Sequence, residues 1–177
     1  MEALKVVGLG LASAIVYGIL HDQVTARVCV EYFTIGHPRV MDSASPTLLA
    51  LYWGVIATWW VGLPAGILLA VSARAGRVPK RTARDLLRPL GVLLGVMALL
   101  ALAAGFAGYA TAQGGGVRLV PRLAARIPPD RHTLFIADLW AHLASYAAAA
   151  LGTIVLCLHT AWRRFRPAPV PDVNGGA

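Results

Sequence analysis

Four long apolar stretches dominate the pattern of hydrophobic and polar positions along this chain. They cover residues 4–20, 47–72, 90–112 and 133–162, and polar or charged segments separate them. A helix needs about 20 mostly apolar residues to cross a bilayer. The alternating ten-residue segments of a membrane β-barrel are absent from the sequence. The pattern therefore predicts an all-α integral membrane protein, a bundle of four transmembrane helices.

The first apolar stretch is predicted to be a retained span and not a signal peptide. Its apolar run is long for a signal sequence, and Tyr17, Ile19 and Leu20 leave no small-residue cleavage site near its end. Residues 1–166 are expected to form a single transmembrane domain. The Pro/Gly-rich segment 167–177 is predicted to be a disordered cytoplasmic tail.

The amino-acid composition agrees with a membrane protein and indicates which classes of partner to expect. The 177 residues are 58% hydrophobic and 14% charged, whereas soluble domains carry about 25% charged residues. The net charge of +8 raises the question of nucleic acid, but the cations fall into loops on both sides of the membrane and form no single basic surface. We therefore expect the lipid bilayer as a partner and no nucleic acid, with a protein partner or a second copy left open.

The distribution of Lys and Arg predicts the orientation of the spans. Ten cations lie on the side that carries both termini and the loop between the second and third spans, against six on the other side. Cytoplasmic loops of membrane proteins are enriched in Lys and Arg. The count predicts an inner-membrane protein with both termini in the cytoplasm.

Six titratable side chains stand near the span ends on the predicted outer side. Ionisable residues at or near membrane depth are costly, and each is a functional candidate. They come from two distant stretches of sequence that should meet at one face of the bundle. These six predicted metal ligands are His21, Asp22, Glu31, His37, Asp138 and His142.

The donor types predict a divalent metal ion at the extracytoplasmic end of the bundle. Imidazole and carboxylate groups suit zinc, iron or manganese. Asp138 and His142 are four residues apart, so on a helix they share one face and either chelate an ion or pair as carboxylate and imidazole. In a metal-dependent hydrolase or oxidoreductase, Glu31 or Asp138 would be the catalytic proton carrier.

Three other interpretations remain open from the sequence. Two of His21, His37 and His142 could ligate a b-type haem. The carboxylates could serve a proton relay or a transport subunit. The cluster could also be purely structural, with Glu31 in a salt bridge to Arg27 four residues earlier.

Several motif classes are excluded. No His-Glu-x-x-His, repeated Glu-x-x-His, P-loop, Gly-x-Ser-x-Gly or Rossmann glycine pattern occurs. The two cysteines, Cys29 and Cys157, are expected near opposite membrane faces and therefore cannot form a disulfide.

The sequence also predicts which helices are neighbours and which residues lie at the membrane interface. The Ala/Gly-rich third and fourth spans are expected to be close neighbours. Tyr52 and Trp53 are expected in the outer aromatic belt. Arginines at 118, 122 and 126 predict either a short basic amphipathic helix in the headgroup layer or a solvated loop.

Overall fold

The computed structural model describes residues 1–165 as helices and connecting loops, with no strand in that part of the chain. The predicted tail, 167–177, lies outside the described residues. In chain order the helices are α1 (Glu2–Val28), α2 (Val30–Thr34), α3 (Pro46–Ile56), α4 (Trp59–Arg74), α5 (Ala83–Gln113), α6 (Pro121–Ala124), the 3₁₀ turn Pro129–Arg131 and α7 (His132–Phe165).

Four of these units are long and apolar enough to cross a membrane. They are α1, the pair α3 and α4 (Pro46–Arg74), α5, and α7 with its preceding turn (Pro129–Phe165). The predicted all-α bundle with four candidate spans is confirmed. The four units bring Val6 near the start of α1 together with Leu156 near the end of α7, so both ends of the described chain lie at one end of the bundle.

The second span is broken between α3 and α4. The Thr58 hydroxyl donates to the carbonyl of Gly54, and the Thr58 amide donates to Val55 in a tighter turn. A threonine that bonds back to the preceding turn competes with the regular helical ladder and bends the helix. On either side of this break, Gly54 of α3 packs against Ile19 of α1, and Gly66 of α4 packs against Val7.

Glycines allow α1 to lie very close to the second span. A Cβ added at Gly10 would lie 2.5 Å from the Cα of Gly66, and one added at Gly54 would lie 2.5 Å from the Cα of Ile19. Small residues at such crossings let helix backbones approach each other in membranes. The contact between α1 and the second span therefore depends on these glycines.

The predicted contact between the third and fourth spans is confirmed, because α5 packs along α7 over much of its length. A Cβ added at Gly108 would lie 2.9 Å from Cγ of Trp140, and one added at Gly105 would lie 3.5 Å from Cβ of Ala141. In contrast, α1 and α5 touch little, and an apolar groove lies between them.

Arg164 holds the end of the bundle that carries the termini. Its buried guanidinium donates to the carbonyls of Ser72, Ala75 and Pro79 at 2.6, 2.6 and 2.7 Å. Carbonyls at a helix C-terminus have no partner within the helix. Arg164 therefore supplies partners to the last turn of α4 and to the loop that follows it.

The loop before α7 covers the opposite end of the bundle. Its helical part is the single turn α6, with Arg118, Arg122 and Arg126 exposed. Ile127 is buried in a core cluster with Phe33 and Phe135. The apolar side of this segment thus packs on the protein, and the choice between a helix in the headgroup layer and a solvated loop stays a prediction.

Candidate metal centre

His142 lies on α7 with both ring nitrogens committed to specific neighbours. Its Nδ1 is 2.8 Å from the backbone carbonyl of Asp138. Because a carbonyl only accepts, Nδ1 must carry the proton and donate, so the neutral ring presents a lone pair at Nε2. That Nε2 lies 3.3 Å from Oδ1 of Asp22 on α1.

His21 joins this pair from the same turn of α1 as Asp22. His21, Asp22 and His142 each offer one ligand atom, and these three atoms lie within 4.8 Å of one another. The His21 and His142 rings meet edge to face, with centroids 4.6 Å apart. Nε2 of His21 is buried and has no hydrogen-bond partner among residues 1–165. The predicted convergence of the first and fourth spans is thus found for these three residues.

His37 reaches the same place from the loop after α2. A small cavity of about 80 Å³ is lined by His37 together with His21, Asp22 and His142. His37 Nδ1 donates to the carbonyl of Tyr32 at 2.8 Å, which leaves Nε2 as the acceptor nitrogen. Burial lowers the pKa of His37 below its usual value, which keeps the ring neutral.

Tyrosines form much of the wall around the three imidazoles. The Tyr32 ring stacks on His142 with centroids 4.4 Å apart, and the Tyr17 ring stacks on His21 at 5.8 Å. The Tyr17 hydroxyl is hydrogen-bonded to Oγ of Ser145 at 2.8 Å. The site therefore combines titratable groups with an aromatic lining.

Sequence reasoning missed these wall residues, although their spacing carried a signal. Tyr17 precedes His21 by one helical turn, and Ser145 and Tyr146 follow His142 by one turn. Residues three and four apart share a helix face. Examining the positions one helical turn before and after each candidate histidine would have identified Tyr17, Ser145 and Tyr146.

Trp53 also belongs to the cavity and not to an interfacial belt. Its side chain is only 9% exposed, and its ring lies 4.6 Å from that of His37 between centroids. The indole Nε1 is buried without a hydrogen-bond partner in the described part of the chain. The expected belt position is therefore wrong for Trp53, because α3 turns this face toward the bundle.

Asp138 is buried near the site but outside the three-residue group. Its backbone carbonyl, and not its carboxylate, is the partner of His142. The side chain is 2% exposed, and Oδ2 has no hydrogen-bond partner within residues 1–165. The expected carboxylate–imidazole pair within α7 is replaced by a pair between helices, since Asp22 takes that place.

Glu31 also lies outside the three-residue group, in an ion pair. Nε of Arg131 donates to Oε2 of Glu31 at 3.1 Å. Arg27 instead donates to Gln23 and to the hydroxyl of Thr47. The considered salt bridge between Arg27 and Glu31 is therefore wrong.

Hydrogen bonds and burial shift the pKa values of Glu31 and of the neighbouring Cys29. Burial works to raise the pKa of Glu31, but hydrogen bonds from its own backbone amide, from Arg131 and from Cys29 outweigh it and hold the pKa below its usual range. Burial and the neighbouring Glu31 raise the pKa of the Cys29 thiol to about 12. Cys29 also lies outside the three-residue group of possible ligands.

The described residues thus bring two imidazoles and one carboxylate together, with a third imidazole beside them in the same cavity. This donor set is able to hold a metal ion. Comparison of the chain with protein-family models, with curated proteins and with solved structures returns no match.

Proposed function

We propose that His21, Asp22 and His142 bind one divalent metal ion, zinc, iron or manganese, inside the helix bundle. The convergence of three ligand atoms within 4.8 Å of one another carries the proposal, and two of them, Asp22 Oδ1 and His142 Nε2, are 3.3 Å apart. A charge-assisted N–H···O bond is typically about 2.7–2.9 Å long. Two ligands of a tetrahedral ion with bonds of about 2.0–2.1 Å lie about 3.3 Å apart. The 3.3 Å spacing is therefore compatible with two ligands of one ion, and His21 supplies the third ligand atom within 4.8 Å of both.

The donor set supports a centre with an open position. Two imidazoles and one carboxylate are the protein ligands of many catalytic zinc sites and of non-haem iron sites, which keep further positions for water or substrate. The bond from His142 Nδ1 to the Asp138 carbonyl orients the ring, as is usual for metal-ligating histidines. His37 stands in the same cavity as a further donor.

The chemistry of such a centre would be metal-assisted hydrolysis or oxidation–reduction at the extracytoplasmic end of the bundle. A bound ion activates a water or polarises a substrate oxygen. Of the two carboxylates predicted to carry protons, Asp138 fits this role better. Its Oδ2 has no partner among the described residues, whereas Glu31 is held by Arg131.

The dimensions of the cavity favour an ion over haem. Pockets for small organic ligands hold about 300–1,000 Å³, and this cavity has about 80 Å³. The His21 and His142 rings, with centroids 4.6 Å apart, leave no space for a macrocycle between them.

The test measures bound metal in untagged protein purified in detergent. Wild type and His142→Ala are compared by inductively coupled plasma mass spectrometry, after growth with zinc, iron and manganese. The matched control is His159→Ala, because His159 is exposed on the same helix. We expect about one ion in wild type and control, and at least a tenfold loss in His142→Ala with helix content retained.

The opposite result would overturn the proposal. Wild-type protein without stoichiometric metal, together with a His142→Ala variant that melts earlier, would assign the triad a structural role. A Soret band in the wild-type spectrum would instead favour haem.

A further inference from the structure

A second, larger concavity lies between α1, α5 and α7. It is an apolar groove of about 720 Å³, within the size range of pockets that bind small molecules. Leu20 on its α1 side and Phe106 on its α5 side are 62% and 68% exposed. Since both helices are candidate spans, these exposed walls open toward the hydrocarbon of the bilayer.

A buried acid, Asp138, is among the residues that line this apolar groove. Asp138 lines the groove, is 2% exposed, and has an Oδ2 without a hydrogen-bond partner in the described part of the chain. Leaving a buried polar atom without a hydrogen bond destabilises the folded protein. An unpaired carboxyl oxygen on a residue that lines an apolar groove points to a ligand that supplies the missing hydrogen bond.

We propose that the groove binds a membrane-soluble molecule with a long hydrocarbon chain and a hydroxyl head group. The chain lies between α1 and α5, and the hydroxyl, of an alcohol or a phenol, pairs with Asp138. A hydroxyl donates to an ionised carboxylate and accepts from a protonated one, so it satisfies either form. No Lys or Arg of the described chain lines the groove, so a phosphate head group would gain no ion pair there.

The groove also adjoins the triad of His21, Asp22 and His142. His21 and Tyr17 line both the groove and the small cavity. A hydroxyl at Asp138 therefore lies beside the triad, at the place where a lipid-soluble substrate would reach it. Binding of such a molecule needs only the groove and Asp138, whether or not an ion is bound at the triad.

Two glycines of α5 offer a matched pair of variants. A Cβ added at Gly91 or at Gly95 meets nothing within 4 Å, so a side chain at either position fits without a clash at Cβ. Gly95 lines the groove and Gly91, about one turn earlier, does not. Gly95→Phe should therefore fill the groove, while Gly91→Phe should leave it open.

The experiment uses photolabelling of the purified full chain in lipid nanodiscs. The probes are a diazirine-bearing hexadecanol and its methyl ether, and labelled peptides are identified by mass spectrometry. We expect the alcohol to label α1 and α5 in wild type and Gly91→Phe, at least fivefold less in Gly95→Phe, and at least fivefold more than the ether. Asp138→Ala should abolish the preference for the alcohol.

Two further arms separate this proposal from the metal site and identify the head group. Labelling should be unchanged after metal removal with a chelator, so failure of the metal proposal leaves this result intact. Competition with unlabelled hexadecanol or with a long-chain alkylphenol shows whether an alcohol or a phenol binds better. Equal labelling of the Gly91 and Gly95 variants, or of alcohol and ether, would reduce the groove to ordinary lipid contact and overturn the proposal.

Discussion

His142 and Asp22 face each other between α7 and α1, with Nε2 and Oδ1 3.3 Å apart across 120 positions of sequence. The other nitrogen of the ring, Nδ1, is already bonded to the Asp138 carbonyl one turn earlier on α7. Local helix geometry therefore orients the imidazole, and packing between helices selects the acid that it meets. His142 Nε2 and Asp22 Oδ1 both carry lone pairs, so a favourable contact between them needs a shared proton or a bound cation.

Metal should stabilise the wild-type protein and not Asp22→Asn. A ligand that binds only the folded state at 100 times its Kd adds about 2.7 kcal/mol. We expect zinc to raise the melting temperature of metal-depleted wild type in detergent. The same rise is expected in the control Asp42→Asn, since Asp42 forms an exposed pair with Arg39.

The result for Asp22→Asn distinguishes a metal site from a structural pair. Removing one partner of a desolvated ion pair costs about 3–5 kcal/mol without any added metal. A large loss of stability in metal-free Asp22→Asn, with no effect of zinc on wild type, would contradict the metal interpretation.

Glu31 should contribute stability that depends on pH. Its pKa is lowered in the folded protein from an ordinary value of 4.5. Stability from such a group is therefore present above pH 4.5 and is lost as the pH falls through the folded pKa. Glu31→Gln should melt below wild type at pH 7, and the difference should shrink toward pH 3.

The exposed acid Asp42 supplies the control for that pH series. Surface ion pairs contribute little, so Asp42→Asn should follow wild type at every pH. A constant gap between wild type and Glu31→Gln from pH 7 to pH 3 would show that the charge of Glu31 does not matter.

Arg164→Ala should strongly destabilise the end of the bundle that carries the termini. The substitution removes hydrogen bonds to the carbonyls of Ser72, Ala75 and Pro79. A bond from a charged group contributes about 1.5–3 kcal/mol, so the total loss should exceed that of one bond. Thermal unfolding in detergent measures it, with Arg163→Ala as the exposed neighbour that should change little.

Gly54→Ala and Gly91→Ala should change stability in opposite directions. A Cβ at Gly54 would lie 2.5 Å from backbone atoms of Ile19, so α1 and α3 would have to separate. A Cβ at Gly91 meets nothing within 4 Å, and Ala is favoured over Gly in helices by about 1 kcal/mol. Equal melting of the two variants would show that the close contact at Gly54 is dispensable.

The orientation in the membrane is a separate prediction. Six Lys and Arg residues between 74 and 88, and the cations near both termini, predict that these segments are cytoplasmic. Reporter fusions after Arg84 and after Asp42 should report opposite sides, with Asp42 outside. A cytoplasmic report at Asp42 would invert the bundle and place the candidate metal centre at the cytoplasmic end.

The sequence by itself determined the four candidate spans and singled out most of the residues that meet in the candidate metal centre. A lipid-solvated helix needs a long apolar run, so the four candidate spans follow from composition along the chain. The same requirement makes a polar side chain at membrane depth rare. His21, Asp22, His37 and His142 stood out for this reason before any contact between them was known.

Only the tertiary structure decided which of these residues meet. Helix periodicity places Asp138 and His142 on one face, but it does not say which acid a neighbouring helix turns toward the ring. That choice depends on how α1 is rotated and how closely it packs, and the glycines permit its close approach to the second span. Because of the same long-range packing, Glu31 forms its ion pair with Arg131 and not with Arg27.

The apolar groove was likewise invisible in the sequence. It exists because α1 packs on the second span and α5 packs on α7, which leaves α1 and α5 apart. The Ala/Gly pattern of α5 predicted a close helix contact, but Gly95 lies on the groove. Small residues permit a close approach without specifying the partner, because van der Waals contact in lipid depends on the shapes of both helices.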